Sequence, residues 1–300
     1  MNRNINKNTV ILNDNIKKDS SNLLKLKENY FDLTQKTLVM DILNVTPDSF
    51  YDGGIYKTVD DYLYRIEEML SEGADIIDIG AESTRPGSGN VDEQEELDRI
   101  LPVLEKALPR FETVFSVDTT KSVVACEALG LGVSVINDIS GLNFDEKIAE
   151  EVAKHEAAIV LMHTPGHPGE MQTIISYNAL IEDIISYLES SVGKALGSGI
   201  EFESIIIDPG IGFGKTVEHN LEIIRNLSDF SVLGRPVMIG TSRKSFIGKL
   251  LGDLSVDNRL EGTAATVAVS IMNGASIVRV HDVHQMKLVA RMTDAIYNKN

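Results

Sequence analysis

Cysteine is nearly absent from this chain of 300 residues: there is one, Cys126. A single thiol cannot close a disulfide within the chain, which suits a reducing compartment. Cys126 lies in an apolar helical pattern and is expected to be a buried, inert thiol. Positive charge is also scarce, with 28 Lys and Arg against 45 Asp and Glu, for a formal net charge of −17. Such a surface repels nucleic acid and anionic membranes, so neither is expected as a partner. The few basic residues therefore stand out against the overall field. No apolar run reaches the length of a membrane span. The opening Met-Asn-Arg-Asn-Ile-Asn-Lys-Asn lacks the apolar core of a signal peptide. The composition thus predicts a soluble, cytoplasmic protein.

What is present is a hydrophobic fraction of 43%, enough for a substantial core in one large domain or two ordinary ones. Residues 1–36 are rich in Asn, Lys and Ser and carry no recognisable chemistry. Thr9–Leu12 and the region around Phe31–Leu33 have the character of short strands, a possible hairpin closing one end of the main domain. Removal of residues 1–30 is expected to leave activity intact. From Leu38 an alternation begins. Apolar strand-like runs fall at 38–44, 75–80, 114–118, 133–139, 157–162, 204–208, 236–240 and 276–280. Amphipathic stretches separate them, at 60–70, 92–107, 121–129, 145–155, 178–196, 218–228, 259–273 and 282–297. Gly73, Gly130, Gly199 and Gly274 fall where left-handed helix caps are wanted. Alternating strands and helices imply parallel strands with crossover helices. Eight repeats predict a (β/α)8 TIM barrel over 37–300 behind a short N-terminal extension. A doubly wound open sheet has the same local pattern and is the alternative.

Each apolar run ends in polar residues, and in a barrel all eight ends meet at one rim. The first run stops at Asn44 and continues as Thr-Pro-Asp-Ser-Phe50. Asp118, Asn137 and Asp208 end three others; two carboxylates and an amide suit a heterocycle rich in N–H donors, such as an aminopyrimidinone. Helix capping is the bland alternative for each of the three. Thr84, Arg85, Arg279 and His281 suit a phosphate or diphosphate, because Arg presents forked donors to phosphate oxygens. Asn44 could hold a magnesium ion that keeps most of its waters. Gly210-Ile-Gly-Phe-Gly-Lys-Thr216 superficially suggests a phosphate loop, but three residues separate Gly210 from Gly214 where that motif has four. Its glycines are better suited to let backbone approach a flat ligand, with Phe213 as a wall. His163, His167, His281 and His284 lack the spacing of a zinc site.

Seven of these segments together resemble dihydropteroate synthases: Leu43–Phe50, Glu82–Gly87, Ser116–Thr119, Asn137–Ile139, Asp208–Lys215, Ser242–Phe246 and Arg279–Asp282. They occur in the family's order over about residues 36–298. The resemblance implies the condensation of 6-hydroxymethyl-7,8-dihydropterin diphosphate with 4-aminobenzoate, a step of folate synthesis that sulfonamides block. It implies that Asp118, Asn137, Asp208 and Lys244 hold the pterin between Met162 and Phe213, with Arg279 stacked on it. Thr84, Arg85, Arg279 and His281 would meet the diphosphate, and Asn44 would ligate Mg2+. Phe50, Thr84, Pro86, Phe213, Ser242 and Lys244 would surround the aminobenzoate. Asp118, Arg85 and Lys244 would carry the catalysis, and a homodimer is implied. Two departures are visible: Gly80-Ala81 stands where the family often has two glycines, and the loop 163–169 is atypical. A pterin-binding methyltransferase acting with a corrinoid protein shares the pterin pocket and is the alternative. It needs no diphosphate site, so Thr84-Arg85-Pro86 and Ser242-Arg-Lys244 speak against it.

Overall fold

The computed structural model describes residues 22–45, 58–82, 91–167 and 175–297. Two short strands open the chain, β1 (Leu23–Leu26) and β2 (Asn29–Asp32), paired antiparallel. Eight further strands follow: β3 (Leu38–Asn44), β4 (Ile76–Gly80), β5 (Val114–Asp118), β6 (Val135–Asp138), β7 (Ala158–Met162), β8 (Ile205–Asp208), β9 (Val237–Ile239) and β10 (Ala275–Val280). They pair in parallel in sequence order, and β10 returns to pair with β3, so the barrel is closed. The open sheet is excluded.

The strands read as apolar runs because both faces are buried. Outward residues such as Val39, Ile77, Phe115, Ile136, Ile159, Ile205 and Val278 pack under the helices. Inward residues Leu38, Met40, Ile76, Val114, Val135, Val160, Ile206, Met238 and Ile277 form a second cluster inside the barrel. The helices are α1 (Val59–Glu72), α2 (Glu93–Ala107), α3 (Ser122–Leu131), α4 (Lys147–Lys154), α5 (Leu180–Gly197), α6 (Val217–Arg225), α7 (Ser245–Leu250), α8 (Leu260–Met272) and α9 (Val283–Ile296). The short α7 escapes the sequence reading because six residues containing a glycine carry too little periodicity. Gly73, Gly199 and Gly274 adopt the positive φ expected of caps. Gly130 does not: α3 runs to Leu131, and Gly132, at φ 117°, closes it. Cys126 is half-buried rather than buried. A hydrogen bond from its thiol to Glu151 raises its pKa, so it is a poor nucleophile.

The hairpin lies under the barrel. Leu24, Leu26 and Leu33 are buried in the same cluster as the inward floor residues. Arg235 fastens it there, donating to the carbonyls of Leu23 (3.3 Å), Glu203 (3.1 Å) and Ile205 (3.0 Å) while its guanidinium stacks on Phe202. At the same end Thr37 bonds to Asp294 of α9 through both its backbone N–H (2.8 Å) and its hydroxyl (2.7 Å). These leucines argue against the expectation that residues 1–30 are dispensable, since their loss would open the apolar floor to water. Thr9–Leu12 lies outside the described residues. Leu26→Ala should cost about 2–5 kcal/mol in equilibrium urea unfolding, as for other buried leucines. Tyr30→Ala, at a side chain 60% exposed on the same hairpin, should change stability by about 0.5 kcal/mol or less. Equal effects at the two positions would refute the floor assignment.

Candidate active site

The inward parity that places Met40 and Ile206 on the floor places Asn44, Asp78, Gly80, Ser116, Asp118, Asn137, Met162, Asp208, Gly240 and Arg279 above it. The barrel interior therefore changes from apolar to polar along its axis. Strand register brings the ends level: Asn44 pairs with Gly80, Gly80 with Asp118, Asp118 with Asn137, and Met162 with Asp208. Gly80 and Gly240 put no side chain into this layer. A Cβ at Gly80 would lie 3.4 Å from that of Asp118.

Arg279 organises the layer. Its Nε donates to Asp78 Oδ2 (2.7 Å) and its Nη2 to Asp118 Oδ2 (2.7 Å). Asn137 Nδ2 donates to the same Asp78 oxygen (3.0 Å). Burial alone would lower the Arg279 pKa, but Asp78 and Asp118 outweigh it and raise it. Asp118 moves the other way. Burial, helped by the charges of Asp78, Glu96 and Asp138, overcomes Arg279 and pushes its carboxyl up to about 7. Asp78 Oδ1, Ser116 Oγ and Asn137 Oδ1 are buried and have no hydrogen-bond partner among the described residues. Such atoms cost about 1–3 kcal/mol each and mark where polar ligand groups would be welcome.

On the opposite side, Asp208 is buried and accepts from Gly210 N–H (2.7 Å). Burial raises its pKa, against the pull of Lys244. The loop after it turns through three glycines with positive φ, Gly210, Gly212 and Gly214. A Cβ on Gly210 would sit 2.0 Å from the His163 carbonyl, and one on Gly212 would sit 3.0 Å from Lys244 Cδ. Lys244 Nζ donates to the Ile211 carbonyl and lies 4.6 Å from the centre of the Phe213 ring. Burial pushes the Lys244 pKa down to about 8, with Asp208 opposing. Beneath the loop Lys215 is buried, bonding His163 Nδ1 (2.9 Å) and the Phe213 carbonyl (3.0 Å). Ser242 and His281 meet at the third side, Ser242 Oγ lying 3.2 Å from His281 N and 3.0 Å from its Nδ1.

The structure thus brings Asn44, Asp118, Asn137, Met162, Asp208, Phe213, Ser242, Lys244, Arg279 and His281 to one rim. Phe50, Thr84, Arg85 and Pro86 lie outside the described residues. The chain entering that last stretch is anchored: Lys121 Nζ bridges Glu82 (2.5 Å) and Glu96 (2.6 Å). Two residues were missed by sequence reasoning. Asp78 was hidden inside an apolar run, although an Asp at an inward position of a buried strand is itself a signal. Lys215 stood in a failed phosphate-loop match and at the end of the Asp208–Lys215 segment, with no role of its own. Among the described residues no three His, Cys, Asp or Glu side chains gather in a way that could hold a metal ion.

Comparison with known proteins agrees with this geometry. The sequence pattern of the family described as "Pterin binding enzyme" matches residues 40–281. Dihydropteroate synthase of Bacillus subtilis is 48% identical over 281 residues, covering 94% of this chain and 96% of that protein. The Yersinia pestis dihydropteroate synthase, solved as a sulfonamide drug complex, superposes with a TM-score of 0.87 at 39% identity, covering 92% of this chain and 99% of the other. That from Clostridium difficile, solved in the presence of pteroic acid, gives 0.83 at 45% identity over 89% of this chain and 99% of the other. The chain belongs to the pterin-binding enzyme family. Within that family it is a transferase with dihydropteroate synthase activity, joining a pterin diphosphate to 4-aminobenzoate. The methyltransferase alternative falls with this.

The raised Asp118 pKa has a testable sign. A carboxyl whose folded pKa exceeds its unfolded value contributes stability at low pH and loses it as pH climbs towards about 7. Asn cannot ionise. In the absence of ligands, the Tm of Asp118→Asn relative to wild type should therefore rise from about pH 5 to about pH 8. A difference that is flat or falls over that interval would contradict the burial argument.

Proposed function

We propose that the rim divides the condensation among its residues as follows. The pterin lies across the barrel mouth, its N–H groups donating to Asp118 and Asp208 and its ring hydrogen-bonding with Asn137 and Lys244. Met162 and Phe213 form apolar walls, and Arg279 lies against the ring. Thr84, Arg85, Arg279 and His281 receive the diphosphate. Phe50, Thr84, Pro86, Phe213, Ser242 and Lys244 surround the aminobenzoate. The observation that carries this reading is the Asp78–Arg279–Asp118 network with its unpartnered acceptors, in a layer that two glycines leave open for a flat ligand. Its acceptors match the donor-rich edge of a pterin. Solved relatives obtained with pteroic acid and with a sulfonamide support the same division.

The nucleophile is a neutral aryl amine and needs no strong base. Its lone pair forms the new C–N bond to the exocyclic methylene of the pterin, the C–O bond to diphosphate breaks, and the amine then loses a proton. The hard part is departure of the anion. Arg85, Arg279 and His281 supply the charge that stabilises it, while Asp118 stabilises positive charge developing on the pterin. The path is therefore SN1-like. The loops that follow β3 and β4 would exclude water from the cationic centre. Asn44 offers a single neutral oxygen, which suits only a magnesium ion that retains waters and arrives with the diphosphate. When bound, that ion would neutralise leaving-group charge.

The protein is proposed to work in the cytoplasm as a homodimer. Leu288, Met292 and Ile296 form an exposed stripe on α9, beside Val269 and Met272 on α8. Apolar stripes of this kind favour self-association. Leu288→Asp/Met292→Asp should yield monomers by light scattering, and unchanged mass would remove this face from the interface. For the chemistry, Arg85→Ala should cut diphosphate release about 100-fold or more while pteroic acid binds within about twofold of wild type. Parallel losses in turnover and pteroic acid affinity would reassign Arg85 to pterin binding.

A further inference from the structure

We infer that Arg243 and Asp282 form a positioning pair that sets the aminobenzoate side of the site, acting through the residues on either side of them. This rests on the assignment of Ser242 and Lys244 to that substrate.

Arg243 sits between Ser242 and Lys244, and its backbone is left-handed, at φ 53°. A non-glycine residue pays for that conformation unless its surroundings hold it, and here they do. Arg243 N–H donates to Thr263 Oγ1 (3.0 Å), and its carbonyl accepts from Arg259 Nη1 (2.9 Å). Its side chain forks onto Asp282, Nε to Oδ2 at 2.8 Å and Nη2 to Oδ1 at 2.6 Å. The remaining Nη1 donates to the carbonyls of Val256 (2.9 Å) and Asp257 (3.1 Å). Both partners of the fork have side chains at least nine-tenths buried.

Asp282 directly follows His281, and His281 touches Ser242. The fork therefore ties the loop after β9 to the loop after β10 at one point. It does so one residue away from each of the side chains that matter. Ser242 reaches His281, Lys244 reaches Ile211 and lies over Phe213, and the Arg243 guanidinium is taken up by Asp282 and the carbonyls of Val256 and Asp257. A planar fork fixes direction as well as distance. Relaxation of the turn would move Ser242 and Lys244 relative to His281 and Phe213 without touching Asp118, Asn137 or Asp208. Displacements of about 1 Å in a positioning group can cost up to about 100-fold in rate.

The test uses the full chain with Arg243→Asn, Asp282→Asn, the double variant and Ser242→Ala. Asn tolerates positive φ, so Arg243→Asn removes the fork while sparing the backbone. Diphosphate release is followed against 4-aminobenzoate concentration, and calorimetry gives the affinity for 6-hydroxymethylpterin. Each single variant should raise KM for 4-aminobenzoate about tenfold or more and leave pterin affinity within about threefold. The double variant should be no worse than the poorer single, the mark of a pair acting as a unit. If Arg243→Asn does not fold, Asp282→Asn carries the same expectation. If Ser242→Ala raises KM while the Arg243 and Asp282 variants leave it unchanged, the positioning pair is refuted and the substrate assignment stands. An unchanged KM in Ser242→Ala refutes the assignment, and the inference with it. Equal loss of both substrates in the Arg243 and Asp282 variants also overturns it, because that is what a general structural role predicts.

Discussion

A cation held between two carboxylates inside the barrel is the constraint on which the site depends. Arg279 cannot be buried without counter-charge, and Asp78 and Asp118 provide it. Burial, with the charge of Asp78 added to it, raises the Asp118 pKa despite Arg279, and among the described residues buried acceptor atoms are left without partners. The site is built short of hydrogen-bond donors. A pterin presents the donors it lacks. Binding thus completes a network that folding leaves incomplete, and this is a physical reason for the pocket to prefer donor-rich heterocycles.

The remaining cations show how a chain of net charge −17 uses its scarce positive residues. Several are committed to holding loops. Lys121 anchors the exit of β4 through Glu82 and Glu96, Lys215 braces the glycine loop after β8 through His163, and Arg243 joins the loops after β9 and β10. Among the described residues Lys244 and Arg279 lie at the mouth, Arg279 held by Asp78 and Asp118. Against an acidic exterior, these cations are what an anionic substrate can pair with at the mouth.

Much of the fold was legible in the sequence because strands buried on both faces leave unbroken apolar runs, and Ile76–Gly80 or Val114–Asp118 can hardly be anything else. The strand ends announced Asn44, Asp118, Asn137 and Asp208 by breaking those runs. Asp78 broke no run, sitting one turn of the pleat inside, and its role depends on an arginine from the far side of the closure. Arg243 stood in the sequence as the middle of Ser242-Arg-Lys244. Its side chain is committed to Asp282 and its backbone is left-handed, and such a φ leaves no mark on a non-glycine residue. The six residues of α7 were too few to show a period, and a helix running two residues past its pattern moved the α3 cap from Gly130 to Gly132. Strands of four residues in the hairpin lay near the limit of what alternation can reveal.

The leucine hairpin under the barrel separates two kinds of evolutionary pressure along one axis. Its strands pair only with each other and face the floor, a full strand length from the rim. Drift there changes how much folded protein a cell keeps, since small stability losses alter abundance, and leaves untouched what the mouth selects. Changes at the rim can alter selectivity only as far as the reserve held by the floor allows. Resistance to an inhibitor of the rim would then be limited partly by the quality of packing at the opposite end of the molecule.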